Sequence, residues 1–287
     1  MGNKVFQPKS LKRALKILDK KSDIKILAGG TDLILELDEL KAAGNKLMDI
    51  SKIDELRYIK ENEKEIKIGA LITFGELGED KLINKYIPSL ANASRQIGSI
   101  QIRNRATIGG NIANASPAAD SMPVLKSVDA QIKVRSLNSS RLIPAEEAIA
   151  SFYQNNLAEN EIIEEIVISK SKINNFLFFD KVGSRKTVSI ARLNIGANVK
   201  AENNLIKKAV ICFGALSKRA FRAKNVESYL ENKKINKIDK KEYNDKLKNV
   251  VDEAIPGRYS QQYKRNAICG LGDNLLKSLV KYAGKGE

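Results

Sequence analysis

Between Arg103 and Asp120 the chain reads RNRATIGGNIANASPAAD, and no other stretch narrows its possible folds as much. Almost every residue there is small, polar or glycine. Adjacent glycines can take φ > 0 and turn successive backbone N–H groups toward one point, a concavity suited to phosphate oxygens. Such a turn is the expectation for Gly109 and Gly110. Asp120 follows at the edge of the apolar run 122–125, placed to accept hydrogen bonds from ribose hydroxyls. Upstream, Leu27-Ala28-Gly29-Gly30-Thr31-Asp32-Leu33 repeats the design: an apolar strand, two glycines, Thr31, Asp32, then a helical pattern. Phosphate at a helix N-terminus meets unpaired N–H groups and the positive end of the dipole. An ordinary βα turn also accounts for Gly29-Gly30 alone, so the weight falls on the pair of loops. Two of them imply one large phosphate-bearing ligand gripped from two sides. Neither loop has the G-x-G-x-x-G or Walker A spacing, so a Rossmann or P-loop geometry is excluded.

The rest of the chain supplies the frame. Leu11, Ala14, Leu15 and Leu18 fall at i, i+3, i+4 and i+7 behind Ser10, the pattern of a capped amphipathic helix. Short strands at 24–27 and 46–50 enclose a helix predicted over 31–41, which together read as a small parallel unit. Alternation predicts strands at 65–69, 130–135, 141–143 and 162–168, and these are expected to pair antiparallel. Helices are expected at 73–77 and 81–97, the second interrupted near Pro88, then a long functional loop over 99–120 and a helix over 117–128. The polar segment 170–175 reads as a boundary. Beyond it, strands at 176–182, 188–200 and 206–214 form an expected meander, followed by helices at 224–230, about 240–254 and 260–282.

Composition removes several classes of function. The chain has no histidine and two cysteines, Cys212 and Cys269. No Ser-His-Asp triad and no histidine metal site can form, and a [2Fe-2S] cluster needs about four ligands. Both cysteines lie in apolar stretches and read as packing residues. A net charge of +16 invites a nucleic-acid reading, but the lysines are scattered and neither an aromatic RNP motif nor a long basic tract is present. The charge instead suits acidic partner subunits or an anionic dinucleotide. No apolar run approaches the ~18 residues of a membrane span. The start lacks a signal-peptide core, so the cytoplasm is the expected location.

The motifs AGGTDL at 28–33 and IRNRATIGGNIANASPAAD at 102–120 resemble those of the FAD-binding subunit, or domain, of the molybdenum hydroxylases. That family includes xanthine, carbon monoxide and nicotinate dehydrogenases. The resemblance continues through Lys181-Val-Gly, Ser189-Ile-Ala-Arg-Leu-Asn194 and Tyr263-Lys-Arg265, and so covers nearly the whole chain. It implies an α+β fold: a two-part FAD-binding domain, with a small parallel unit at 1–55 and an antiparallel subdomain at 56–172, then a C-terminal α+β domain at 173–287 covering the flavin. It implies that the pyrophosphate lies against backbone amides of Ala28 to Leu33 and of Thr107-Ile108-Gly109-Gly110-Asn111. Asn114 and Ser116 would bond phosphate or adenosine, and Asp120 the ribose. Lys181 would stand near the flavin ring, where a cation stabilises the anionic reduced form; a strand-end surface lysine is the alternative. Arg103 and Arg105 either neutralise pyrophosphate or brace the loop through carboxylates.

The resemblance further implies an electron-transfer subunit working with a [2Fe-2S] iron–sulfur subunit and a molybdopterin-binding subunit, passing electrons through FAD to NAD+ or another acceptor. No residue of this chain is expected to be catalytic in its own right, and none to bind metal. Two alternatives are a stand-alone flavoprotein reductase of the same broad fold, related to the cell-wall precursor enzymes, and a non-enzymatic basic binding protein.

Overall fold

A computed structural model describes residues 4–39, 46–185 and 188–284. Three sheets follow one another along the chain. The first comes from β1 (Lys4–Phe6), α1 (Leu11–Lys20), β2 (Ile24–Leu27), α2 (Leu33–Glu39) and β3 (Lys46–Asp49). β3 lies between β1 and β2 and is parallel to both. Ser10 accepts from the Arg13 amide and caps α1, whose Leu11, Ala14, Leu15 and Leu18 bury against Met48 and Ile50. α2 begins at Leu33 rather than at Thr31, because residues 31 and 32 complete the turn. The expected end of that helix at residue 41 lies outside the described residues.

The second sheet has the order β4 (Ile59–Glu61), β5 (Glu65–Gly69), β10 (Ile162–Ser169), β6 (Gln131–Arg135), β7 (Ser140–Pro144), every pair antiparallel. Its apolar face carries Ile66, Ile68, Ile132, Val134, Ile166 and Ile168. Against the resulting core pack residues from α3 (Phe74–Glu79), α4 (Lys81–Tyr86), α5 (Pro88–Arg95), α7 (Ile108–Asn114) and α8 (Ser121–Ser127). A two-stranded hairpin, β8 (Ile149–Ser151) and β9 (Gln154–Asn155), reaches back to α7, where Tyr153 N donates to Ala115 O over 3.1 Å.

Residues 99–120 are not one long loop. Ser99 caps a short α6 (Ile100–Arg103) and Thr107 caps α7, each side-chain oxygen accepting from an amide three residues on. The helix expected from residue 117 starts only at Ser121, since Ala115 at φ 52° reverses the chain and 116–119 turn back.

The third sheet is a meander of β11 (Phe176–Gly183), β12 (Ala191–Glu202), β13 (Leu205–Gly214) and a short β14 (Phe221–Arg222). Leu193, Ile195, Ala197 and Val199 of β12 share a core with α9 (Lys224–Leu230), α10 (Lys240–Ala254) and α11 (Gln261–Ala283). The alternate residues of β12 meet α8 and its surroundings. A Cβ at Gly196 would lie 2.7 Å from the Val124 amide nitrogen, and Asn198 Nδ2 donates to Ser127 O over 2.8 Å. This strand therefore joins the third sheet to the helices of the second.

On α11, Gly270 faces open space, with nothing within 4 Å of an added Cβ. Gly270→Ala should raise stability by about 0.5–1 kcal/mol, because alanine loses less backbone entropy in a helix. Urea unfolding measures it, and a loss of stability would mean that α11 is packed differently at that point.

Candidate functional site

The two glycine loops meet directly. A Cβ on Gly29 would lie 2.8 Å from the carbonyl carbon of Arg105, nearer still to its oxygen, and 3.0 Å from Ala106 Cα. Only glycine permits that backbone contact. Gly30 is different: its φ of 75° is the left-handed turn that releases the chain from β2 into α2. Leu27 ends β2, and its carbonyl accepts from Ile50 N over 2.9 Å. None of the amides of Ala28 to Leu33 donates to an acceptor among the described residues. Unpaired donors turning through a left-handed glycine form an anion-binding concavity.

The second loop is built on another principle. Gly109 and Gly110 are not in a positive-φ turn; they form the first turn of α7. Ile108 N donates to Ile72 O (3.0 Å), Gly109 N to Ala70 O (2.9 Å), Gly110 N to Thr107 Oγ1 (3.1 Å) and Asn111 N to Thr107 O (2.9 Å). These four amides are committed inside the fold, contrary to the expectation of a nest at Gly109-Gly110. Close approach is what requires glycine there. A Cβ at Gly109 would sit 2.6 Å from Ala70 Cβ, and one at Gly110 2.9 Å from the capping oxygen of Thr107. Beyond the cap, Asn111 Oδ1 accepts from Ser121 Oγ (2.6 Å), which leaves its Nδ2 protons without an acceptor among the described residues. The Asn114 side chain is likewise unbonded, and Ser116 Oγ receives only a long bond of 3.4 Å from Ala118 N.

Asp120 and Lys181 come together in a buried ion pair. Lys181 Nζ donates to Asp120 Oδ2 (2.6 Å), Gln96 O (2.8 Å) and Ser189 O (3.2 Å), which uses all three ammonium protons. Asn194 Nδ2 donates to Asp120 Oδ1 over 2.9 Å. The two side chains are 6% and 8% exposed, so Lys181 is not a surface lysine. Burial pushes the Asp120 carboxyl up from its ordinary value, while Lys181 and Asn194 pull the other way. Asp120 is no helix cap: its backbone is already helical and its side chain bonds no amide of α8. The lysine does not end its strand either, since β11 continues to Gly183.

Arg103 braces the turn before it through the carbonyls of Ile97 and Gly98, both at 3.0 Å, not through a carboxylate. Arg105 serves through its carbonyl against Gly29, and its side chain is exposed. Sequence reasoning missed the roles of Asn194, Gln96 O and Ala70 O, which depend on residues far apart in the chain. Of the cysteines, Cys212 is buried and Cys269 partly so, and both are free.

Open amides at a left-handed glycine, uncommitted Asn111 and Asn114 amides, and a buried carboxylate and ammonium at the junction of two sheets define a flavoprotein of the two-loop type. Residues 2–170 match the family described as "FAD binding domain in molybdopterin dehydrogenase", and residues 179–279 match "CO dehydrogenase flavoprotein C-terminal domain". The chain is 28% identical over 285 residues to the nicotinate dehydrogenase FAD-subunit of Eubacterium barkeri, spanning 96% of this chain and 95% of that one. It is 30% identical over 231 residues to the carbon monoxide dehydrogenase medium chain of Hydrogenophaga pseudoflava, 80% of each. The structure of carbon monoxide dehydrogenase from Hydrogenophaga pseudoflava superimposes with a TM-score of 0.85 at 26% identity, covering 99% of this chain and 98% of that one. The quinoline 2-oxidoreductase of Pseudomonas putida 86 shares the fold, with a TM-score of 0.86 at 20% identity over 99% and 98% of the two chains. This chain belongs to the FAD-binding subunits of the molybdenum hydroxylase family: it is an oxidoreductase flavoprotein, and its cofactor is FAD.

Proposed function

We propose that this chain relays electrons within a molybdenum hydroxylase complex of the cytoplasm, receiving them from a [2Fe-2S] iron–sulfur subunit supplied by a molybdopterin-binding subunit, and delivering them through FAD to NAD+ or another acceptor. The observation that carries this is the pair of glycine loops locked backbone to backbone, with open amides on one side only. The chain divides for this purpose into units at 1–55, 56–172 and 173–287. The amides of Ala28 to Leu33 hold the pyrophosphate, with Asn111, Asn114 and Ser116 supplying side-chain donors from the second loop. Asp120 takes a ribose hydroxyl, and Lys181 presents positive charge to the flavin ring. When bound, FAD supplies the ability to take up and release electrons one or two at a time, which no side chain here provides. The protein's part is to hold it, exclude water and set the charge around it.

Nicotinate, xanthine and carbon monoxide dehydrogenases appear among the named relatives, and each name describes the relative's substrate alone. With no histidine and two cysteines, this chain lacks the ligands of an iron–sulfur cluster. Among the described residues no cluster of three or more metal-ligating side chains occurs, and no helix is long and apolar enough to cross a membrane. The FAD-loaded chain, alone and without oxygen, should therefore keep its flavin oxidised when given xanthine, nicotinate or an aldehyde. Its flavin should bleach with the proper substrate only in complex with the two partner subunits. Bleaching of the lone chain by any of these would overturn the relay role in favour of a stand-alone flavoenzyme.

A further inference from the structure

Residues 200–241 hold twelve lysines and arginines against four carboxylates, so half of the net charge of +16 lies in that stretch. Three of the four acids are committed inside the fold. Glu227 is buried against Arg222, Glu231 accepts from Ala209 N, and Asp239 caps α10 by accepting from Glu242 N.

The backbone gathers the cations at one end of the third sheet. Asn203 and Asn204, at φ 48° and 60°, close the hairpin of β12 and β13 as a two-residue left-handed turn. Residues 232–235 run along its tip: Asn232 N donates to Ile206 O (2.7 Å), Ile206 N to Lys233 O (3.0 Å) and Ile235 N to Asn204 O (2.8 Å). Lys233 also reaches Glu242 at 3.6 Å, which ties the first turn of α10 to the same tip. Lys207 and Lys208 of β13, Lys234 and Lys237 after the turn, and Lys240 and Lys241 of α10 therefore stand together. All six are exposed. The nearby carboxylates Glu202 and Glu242 are taken by Lys200 and Lys233, and none of the six has an ion pair among the described residues. Two placements are unfavourable in themselves. Lys200 faces Lys208 directly across the ladder, and like charges so placed repel. Lys240 and Lys241 occupy the first turn of α10, at the positive end of its dipole. An anion at this end relieves both.

The kind of anion follows from what the end lacks. Among the described residues, no exposed large apolar side chain falls between residues 191 and 258. Specific protein interfaces are depleted in lysine and anchored by aromatic or arginine side chains in pockets. Stacking on single-stranded nucleic acid needs exposed rings, whereas Tyr229 is 7% exposed and lies under the Lys233 ammonium. Every cation of the cluster is a lysine, a hydrated point charge with no preferred partner geometry. Such a cluster matches the diffuse field of anionic lipid headgroups. It is also clear of the cofactor cradle. On β12, Asn194 meets Asp120 while Lys200 is six residues on, roughly 20 Å along the strand.

We propose that this lysine end docks the protein reversibly on an anionic phospholipid surface, by charge alone and without insertion. The inference stands independently of the electron-relay role, and either can fail while the other holds.

Co-sedimentation of the FAD-loaded chain with vesicles tests it, using phosphatidylcholine mixed with phosphatidylglycerol and phosphatidylcholine alone. The chain should sediment with the mixed vesicles at low salt, stay in solution with phosphatidylcholine, and be released by added salt. A lysine near an anionic surface strengthens attachment about fivefold. Lys207→Gln/Lys208→Gln and, separately, Lys234→Gln/Lys237→Gln should therefore each weaken it about 25-fold. Lys12→Gln/Lys16→Gln on α1 changes net charge equally and should leave attachment within about twofold, because exposed charges beyond a Debye length are screened. Flavin content and melting temperature should match the parent in all three, since the altered side chains are exposed. No sedimentation with mixed vesicles overturns the proposal, as does equal sedimentation with both kinds. Equal weakening by the α1 control also overturns it, because attachment would then follow overall charge. Polyglutamate and a DNA duplex serve as rival probes. If either binds in a lysine-dependent way while mixed vesicles do not, the end belongs to an acidic protein or to nucleic acid and the lipid reading is wrong.

Discussion

Gly29→Val is expected to strip FAD from the chain. The added Cβ lands on the backbone of Arg105 and Ala106, 2.8 Å from one carbonyl carbon and 3.0 Å from the next Cα, and nearer still to the carbonyl oxygen. Backbone cannot rotate out of the way as a side chain does, so one loop must move. The second loop is pinned on both sides of the contact: Phe74 N donates to Ala106 O over 3.0 Å, and Ile108 and Gly109 donate to Ile72 and Ala70. The first loop must therefore be the one that shifts, and it carries the open amides of residues 28 to 33. A displacement of about 1 Å is enough to break charge-assisted bonds to a diphosphate. FAD affinity should fall by at least about 100-fold, or about 2.7 kcal/mol, beside a folding penalty of about 1–3 kcal/mol for overpacking. Titrating the flavin-free variant with FAD measures the first and urea unfolding the second. Gly30→Ala provides the contrast. It strains a left-handed backbone, but its Cβ meets only the flexible tips of Leu27 and Ile34 at 3.1 and 3.3 Å, so affinity should fall less. A folded Gly29→Val chain that titrates with FAD as the parent does would show that the contact between the loops does not shape the cofactor site.

The same contact shows why the sequence disclosed the loops but not their construction. Glycine is selected either by a left-handed φ or by a close approach, and the two leave the same letter. Gly30 is the first kind; Gly29, Gly109 and Gly110 are the second. Regular elements of two turns or more were legible because their periodicity is long enough to register: the Leu11, Ala14, Leu15, Leu18 stripe, the alternating Ile66 and Ile68, and the three C-terminal helices. α6, of 4 residues, is too short for a period, and α7, although as long as α9, carries glycines at its second and third positions, so neither stood out as a helix even though their caps Ser99 and Thr107 were there to be read. β1, at 3 residues, left no pattern at all.

Site residues followed the same rule. Asp120 and Lys181 were recognisable from the motifs around them. Their mutual bond was not, since it depends on packing between residues 61 positions apart. Asn194 lay inside a recognised motif, yet its task depends on the register that sets it opposite Lys181 across β11 and β12. Its Oδ1 packs over Gly214, where a Cβ has no room, so the neighbouring strand takes part in aiming its amide at Asp120.

The ion pair at that junction carries the second large effect. Lys181→Met keeps most of the side-chain volume and removes the charge, which leaves the Asp120 carboxylate 6% exposed with Asn194 as its remaining donor. Breaking a buried pair from one side costs about 3–5 kcal/mol near neutral pH. The loss should depend on pH in a direction opposite to ordinary acid denaturation. In the parent, burial raises the folded carboxyl above its unfolded value of 3.8 although Lys181 opposes the rise. A folded group that binds its proton more tightly than the unfolded chain contributes fully below the unfolded value and loses that contribution as pH rises through the folded one. Removing Lys181 removes the strongest force holding the carboxyl down, so in the variant the window extends further upward. The deficit relative to the parent should be largest near neutrality and shrink as acid neutralises Asp120. Urea unfolding of the flavin-free chains across pH reads this directly. Asp120→Asn in the Lys181→Met background should recover most of the stability, because a neutral amide needs no counter-ion and can still bond Asn194. A deficit that stays constant with pH, or a double variant no better than the single, would mean that Lys181 stabilises the junction through its bonds to Gln96 and Ser189 and not through the charge of Asp120.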